Sequence, residues 1–123
     1  MNTVLWILQA LLALAFLAAG ATKLSRPKEK LEATMAWVTD VSASTVRFIG
    51  TVEVLGALGL ILPAATGVAT VLTPLAAVGL GVVMVGAIIT HARRAEAQSI
   101  VINVTLLAIA VVIAWGRFGP YSV

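Results

Sequence analysis

The sequence predicts an all-α integral membrane protein with four spanning helices and a short amphipathic interfacial helix between spans 1 and 2. Of its 123 residues, 61% are hydrophobic and only 11% are charged, whereas a soluble domain is roughly half apolar and a quarter charged. Apolar runs long enough to cross a bilayer recur along the chain. The predicted spans are approximately 3–24, 45–62, 66–90 and 99–115. At this length, residues 1–123 form a single transmembrane domain.

The first span has one face that contains both Gln9 and Lys23. Successive helical residues advance by about 100°, so residues three, four and seven apart share a face. That face holds Gln9, Leu12, Phe16, Ala19, Gly20 and Lys23. A cleaved signal peptide is the alternative, because residues 18–21 are small. The run is about 20 residues long and no Lys or Arg precedes it, which favours a retained span.

The segment between the first two spans predicts a helix lying on the membrane surface. Leu31, Met35 and Val38 repeat at i, i+4 and i+7, which gives a helix one apolar side. Trp37 then suits the depth of the lipid headgroups. A solvated loop is the alternative interpretation.

The second span contains a carboxylate, Glu53. A charged side chain at the centre of a bilayer costs roughly 2.5–3.5 kcal/mol on insertion scales, so it normally faces protein or water and has a partner. The same helix face carries Gly50, Gly56 and Ala57. Small residues of this kind let another helix approach closely.

The third span follows a tight uncharged turn over residues 63–67. Pro74 falls inside the predicted span, where it would remove a backbone hydrogen bond to Thr70 and kink the helix. The polar loop 91–98 then leads into the fourth span.

The basic residues predict the orientation of the chain. Seven of the eight Lys and Arg residues fall on one side of the predicted membrane, and cytoplasmic loops are the ones enriched in Lys and Arg. Those seven are Lys23, Arg26, Lys28, Lys30, Arg47, Arg93 and Arg94. Both termini are therefore expected outside, with loops 25–44 and 91–98 in the cytoplasm. The pI near 10 reflects this topology, and no nucleic-acid partner is predicted.

Polar side chains from all four spans are expected to meet in the cytoplasmic half, around Glu53. The candidate pocket residues are Glu53, Lys23, Asn103, His91 and Arg47. The carboxylate either pairs with one of the three basic residues or takes up a proton, because burial disfavours its charge. Asn103 could donate to either form. The alternative is that Glu53 is a structural strut that ties two spans together.

The residue inventory excludes several kinds of chemistry. Cysteine is absent, so the chain has no disulfide, thiolate nucleophile or Cys-ligated metal. One histidine and one buried acid do not make a three- or four-ligand metal site. We expect no metal, no covalent cofactor and no enzymatic activity from this chain alone, and the catalytic residues of any reaction remain unassigned.

Several stretches resemble the DoxX-like family of small four-helix membrane proteins. They are AGATKL at residues 19–24, IGTVEVLGALGLILP at 49–63, LTPLAAVGLGVVMVGAIITH at 72–91, and Asn103 in the last span. The resemblance covers most of the chain and implies a four-helix bundle. It also implies that Lys23, Glu53 and Asn103 match the recurrent polar positions of the family.

The resemblance implies two classes of function. In the first, the protein is a non-catalytic subunit or binding component whose pocket around Glu53 holds a lipid, a quinone head or another small amphiphile. In the second, it is a quinone-reactive subunit of a membrane oxidoreductase linked to sulfur, thiol or oxidative-stress chemistry. A small transporter is a third option. The expected partners are membrane lipid and either further copies of the chain or other membrane subunits, in a bacterial cytoplasmic membrane.

Overall fold

A computed structural model describes residues 1–122, apart from the side chain of residue 34. The described chain contains helices and no strand, and 85% of it is helical. In chain order the helices are α1 (Asn2–Ser25), α2 (Lys28–Thr34), a 3₁₀ helix (Ala36–Asp40), α3 (Ala43–Thr66), α4 (Leu72–Arg93) and α5 (Ala97–Phe118). The all-α prediction is confirmed.

The four long helices form a closed bundle. Helix α1 packs on α3, α3 on α4, α4 on α5, and α5 returns to α1 with the smallest contact. Each is long and apolar enough to cross a membrane. Leucine, valine and isoleucine side chains cover the outer surface, as expected of a surface that faces lipid. The core consists of Leu12, Ala13, Phe16, Ala57, Leu60, Ala77, Leu80, Met84, Ala110 and Ile113.

Two glycines set the crossing of α1 and α3. A Cβ atom on Gly20 would lie 2.6 Å from the carbonyl oxygen of Gly50. A Cβ atom on Gly50 would lie 2.9 Å from the Cβ of Lys23. Only glycine lets the two backbones approach this closely, as at other membrane helix crossings. The crossing places the last turn of α1 against the middle of α3, where Glu53 lies.

The turn between α3 and α4 differs from its prediction. Helix α3 continues through Pro63 to Thr66, and Gly67 ends it with φ 73°, the left-handed conformation that glycine favours. Proline 63 has no N–H to donate to the carbonyl of Gly59, four residues earlier. The hydroxyl of Thr73 donates to that carbonyl instead, at 3.1 Å. The hydrogen bond joins the start of α4 to α3.

The predicted kink at Pro74 is wrong. Helix α4 begins at Leu72, not near residue 66, so Pro74 occupies its first turn. Backbone N–H groups in the first turn of a helix have no partner within that helix, and a proline there removes no hydrogen bond.

The segment between α1 and α3 forms two short helices where one was predicted. Met35 has φ −125° and ψ 84°, outside the helical region, and it separates α2 from the 3₁₀ helix. Leu31 and Val38 turn inward and pack with Val46 of α3. The apolar side of this segment therefore contacts protein, whereas the sequence predicted that it would contact the membrane surface.

Candidate functional site

A cavity of about 470 Å³ lies between the four long helices, beside the 3₁₀ helix. This volume falls in the range of roughly 300–1,000 Å³ that is usual for small-molecule sites. Its polar lining residues are Lys23, Thr45, Glu53, Thr90, His91 and Asn103. Phe16, Met84 and Leu106 form part of its apolar wall, and Trp37 and Val41 line it from the segment before α3.

Lys23 and Glu53 form a buried ion pair in this cavity. The distance from Lys23 Nζ to Glu53 Oε1 is 2.7 Å, and the two side chains are 8% and 4% exposed. The close crossing at Gly20 and Gly50 brings them together, because Lys23 and Glu53 each lie three residues, nearly one helical turn, beyond the glycine of their own helix. The Lys23 ammonium also lies 5.9 Å from the centre of the Trp37 ring, within the range of a cation–π contact.

Asn103 supplies an unused amide to the same cavity. It belongs to α5, is 9% exposed and lines the cavity. Among the residues that the structure describes, none forms a hydrogen bond with its side chain. Because this amide lines the cavity, its donors and acceptor are available to a bound molecule or to water.

His91 lines the cavity at the end of α4 and is held by the α4–α5 loop. Its Nδ1 lies 3.0 Å from Glu96 Oε1. Arg94 Nε lies 3.3 Å from the same oxygen, and Arg94 also pairs with Asp40 of the 3₁₀ helix. Three charged side chains therefore connect His91 to the segment that precedes α3.

Arg47 is not part of this arrangement. It is exposed and does not line the cavity. It lies six residues before Glu53 on the same helix, which is about 240° away around the helix axis. Of the three basic residues considered as partners of Glu53, Lys23 is the one that pairs with it.

Sequence reasoning missed a second polar cluster, at the opposite end of the bundle. Arg117 is 2% exposed. It donates to Gln9 Oε1 at 2.7 Å and to Asn2 Oδ1 at 2.6 Å, and it lies 5.5 Å from the centre of the Trp6 ring. Gln9 in turn donates to the carbonyl of Leu60 at 2.6 Å. The signal was present, because Gln9 falls on the predicted inner face of α1.

The fold and the cavity define a class: a four-helix integral membrane protein with a polar cavity, built around a buried Lys–Glu pair, near one end of its bundle. The family model of the DoxX-like family matches residues 7–113. The chain belongs to that family, as the sequence resemblance implied. Comparison with curated proteins and with solved structures gives no significant match.

Proposed function

We propose that this protein is a non-catalytic membrane component that binds a small amphiphile with an uncharged polar head in the cavity around Glu53. The observation that carries the proposal is the unpartnered, buried Asn103 amide facing a cavity that also contains the Lys23–Glu53 pair. Such a site has an apolar wall and a few convergent polar groups, which is the usual form of a ligand site.

The charge balance of the cavity favours a neutral head. Lys23 and Glu53 compensate each other, so an anionic or cationic head would add an unbalanced charge to a buried site. A head with carbonyl oxygens could instead accept hydrogen bonds from the Asn103 amide and from Lys23. A quinone has this chemistry, and so does the ester region of a neutral lipid.

The position of Gly86 supports an amphiphile rather than a compact polar molecule. Gly86 lines the cavity and is exposed, and a Cβ atom there would meet no other atom within 4 Å. We infer that the cavity opens beside Gly86, where the tail of an amphiphile would leave it.

Quenching of Trp37 fluorescence by a short-chain ubiquinone tests the proposal. Trp37 is the tryptophan in the cavity wall, and Trp6→Phe with Trp115→Phe leaves it as the sole reporter. We expect saturable quenching. A protein that retains only Trp6, which does not line this cavity, should show the linear quenching of simple partition into detergent. Linear quenching in both proteins would refute quinone binding, and mass spectrometry of lipids that copurify with the protein would then identify a lipid ligand or none.

Two glycines of α4 provide a matched pair of variants for the same assay. Gly86→Leu places a side chain at the cavity, whereas Gly79→Leu places one at a site of equal openness that does not line it. We expect the first to raise the ubiquinone concentration for half-maximal quenching about tenfold, because overpacking a filled site costs roughly 1–3 kcal/mol, and the second to leave it unchanged. Equal effects from both would contradict the placement of the ligand.

One observation favours the second function, a quinone-reactive subunit. His91 lines the cavity and contacts Glu96 in the α4–α5 loop, so titratable groups continue from the cavity towards that loop and could relay protons. His91→Gln keeps a hydrogen-bond donor and removes the titration. If this subunit function is correct, quinol-dependent electron transfer in membranes should fall with His91→Gln while ubiquinone still binds. Unchanged electron transfer would leave binding alone as the function.

A further inference from the structure

The segment of α2 and the 3₁₀ helix forms a small unit beside the cavity. It contributes Trp37 and Val41 to the cavity lining. Its buried residues, Leu31 and Val38, pack with Val46 in a cluster separate from the main core. The unit therefore packs against the start of α3, and this cluster contains no residue of α4 or α5.

One ion pair joins this unit to the opposite wall of the cavity. Arg94, in the α4–α5 loop, pairs with Asp40 at the end of the 3₁₀ helix. The two side chains are 29% and 60% exposed, so water and salt reach the pair. In the described chain, the backbone of the 3₁₀ helix lies mainly against α2, and it makes at most slight backbone contact with any of the long helices. Little backbone contact therefore holds the unit to that wall once the pair is broken.

We propose that residues 28–41 act as a lid over the cavity and that the Asp40–Arg94 pair is its latch. The identity of the ligand rests on the proposed function, whereas the inference of a lid rests on these contacts. An exposed ion pair is worth little in stability, which suits a latch that opens and closes in the resting protein.

Movement of the lid would also alter the polar site. Trp37 belongs to the lid, and its ring lies 5.9 Å from the Lys23 ammonium. Opening takes this ring away from Lys23 and exposes the Lys23–Glu53 pair to water. Closing restores the desolvated pair around a bound head. The latch therefore controls both access of water to the cavity and the polarity within it.

The rate at which a thiol in the cavity is labelled measures opening of the lid, and no ligand is needed. The chain has no cysteine, so Ala87→Cys places a single thiol in the cavity wall. A sulfonated maleimide, which stays out of detergent hydrocarbon, then reports access from water. We expect Asp40→Asn to raise the labelling rate about two- to fivefold, the range that an exposed ion pair supports. Glu29→Gln removes an exposed acid of the same segment and should leave the rate unchanged.

The dependence of the labelling rate on salt provides a second test of the Asp40–Arg94 latch. Raising ionic strength screens an exposed pair, so labelling should accelerate in the Ala87→Cys protein and stay constant once Asp40→Asn is added. Equal labelling rates in the Ala87→Cys protein with and without Asp40→Asn would overturn the proposal of a lid. The same dependence of the rate on salt in both proteins would also overturn it. Faster labelling in a protein that shows no saturable ubiquinone quenching would support the lid and count against quinone as its ligand.

Discussion

The Lys23–Glu53 pair should be strongly coupled in stability. Both side chains are more than nine-tenths buried, and the 2.7 Å contact gives each its charge partner. Removing one member leaves an uncompensated buried charge, which costs about 3–5 kcal/mol in comparable pairs. Replacing both members by apolar residues of similar size is often neutral or stabilising. We therefore expect Lys23→Met and Glu53→Leu each to destabilise the protein, and the double variant to recover most of the loss.

Reversible unfolding in mixed detergent and SDS micelles would measure this coupling. The double-mutant cycle should give an interaction of about 3 kcal/mol, the upper part of the range for residues in contact. Lys28 and Glu32 offer a matched control pair on α2, 3.8 Å apart and about one-third exposed. Their cycle should give less than about 1 kcal/mol. Additive losses at Lys23 and Glu53 would refute the reasoning.

The same double variant separates a structural strut from a binding site. If Glu53 serves only to tie α3 to α1, ubiquinone should quench the Trp37 fluorescence of the double variant as it does in the original protein. If the pair contributes to the site, the double variant should be stable and should have lost saturable quenching.

Two further predictions concern packing and topology. A Cβ atom on Gly56 would lie 2.6 Å from the side chain of Leu80, so Gly56→Leu should separate α3 from α4 and lower the thermal stability in detergent by more than the lipid-facing change Leu58→Ala. Equal losses would contradict this packing. Reporter fusions at Arg94 should be cytoplasmic and fusions after Tyr121 external, because the Lys/Arg asymmetry predicts both termini outside. A cytoplasmic C-terminal fusion would reverse the orientation.

The sequence alone determined the helical class and much of the inner surface. Of the six residues predicted to share one face of α1, Ala19 is half-buried and the other five are buried: Gln9, Leu12, Phe16, Gly20 and Lys23. Burial follows the helical period because residues on one face meet the same environment. The presence of Glu53 also predicted either a basic partner or uptake of a proton, because an isolated charge in hydrocarbon is costly.

Helix ends and the contacts of connecting segments were less accessible from the sequence. The pattern around Pro74 is equally apolar on both sides, so periodicity could not distinguish the first turn of α4 from its interior. Thr73 bonding to Gly59 across the turn is a contact between helices, and no local preference encodes it. The interfacial segment was ambiguous for a similar reason, because an apolar stripe packs equally well on protein or on lipid.

Only the tertiary structure decided which residue pairs with Glu53 and which groups remain free for a ligand. Lys23 and Arg47 carry the same positive charge, and a charge count does not distinguish them. The crossing of α1 and α3 does, because contact between Gly20 and Gly50 fixes the register of the two helices. The α4–α5 loop likewise places His91 against Glu96, while Asn103 is left without a protein partner in the described chain. A helical period specifies which way a side chain points on its own helix. Its partner depends on where the backbones of two helices approach most closely, and that is a property of the packed bundle.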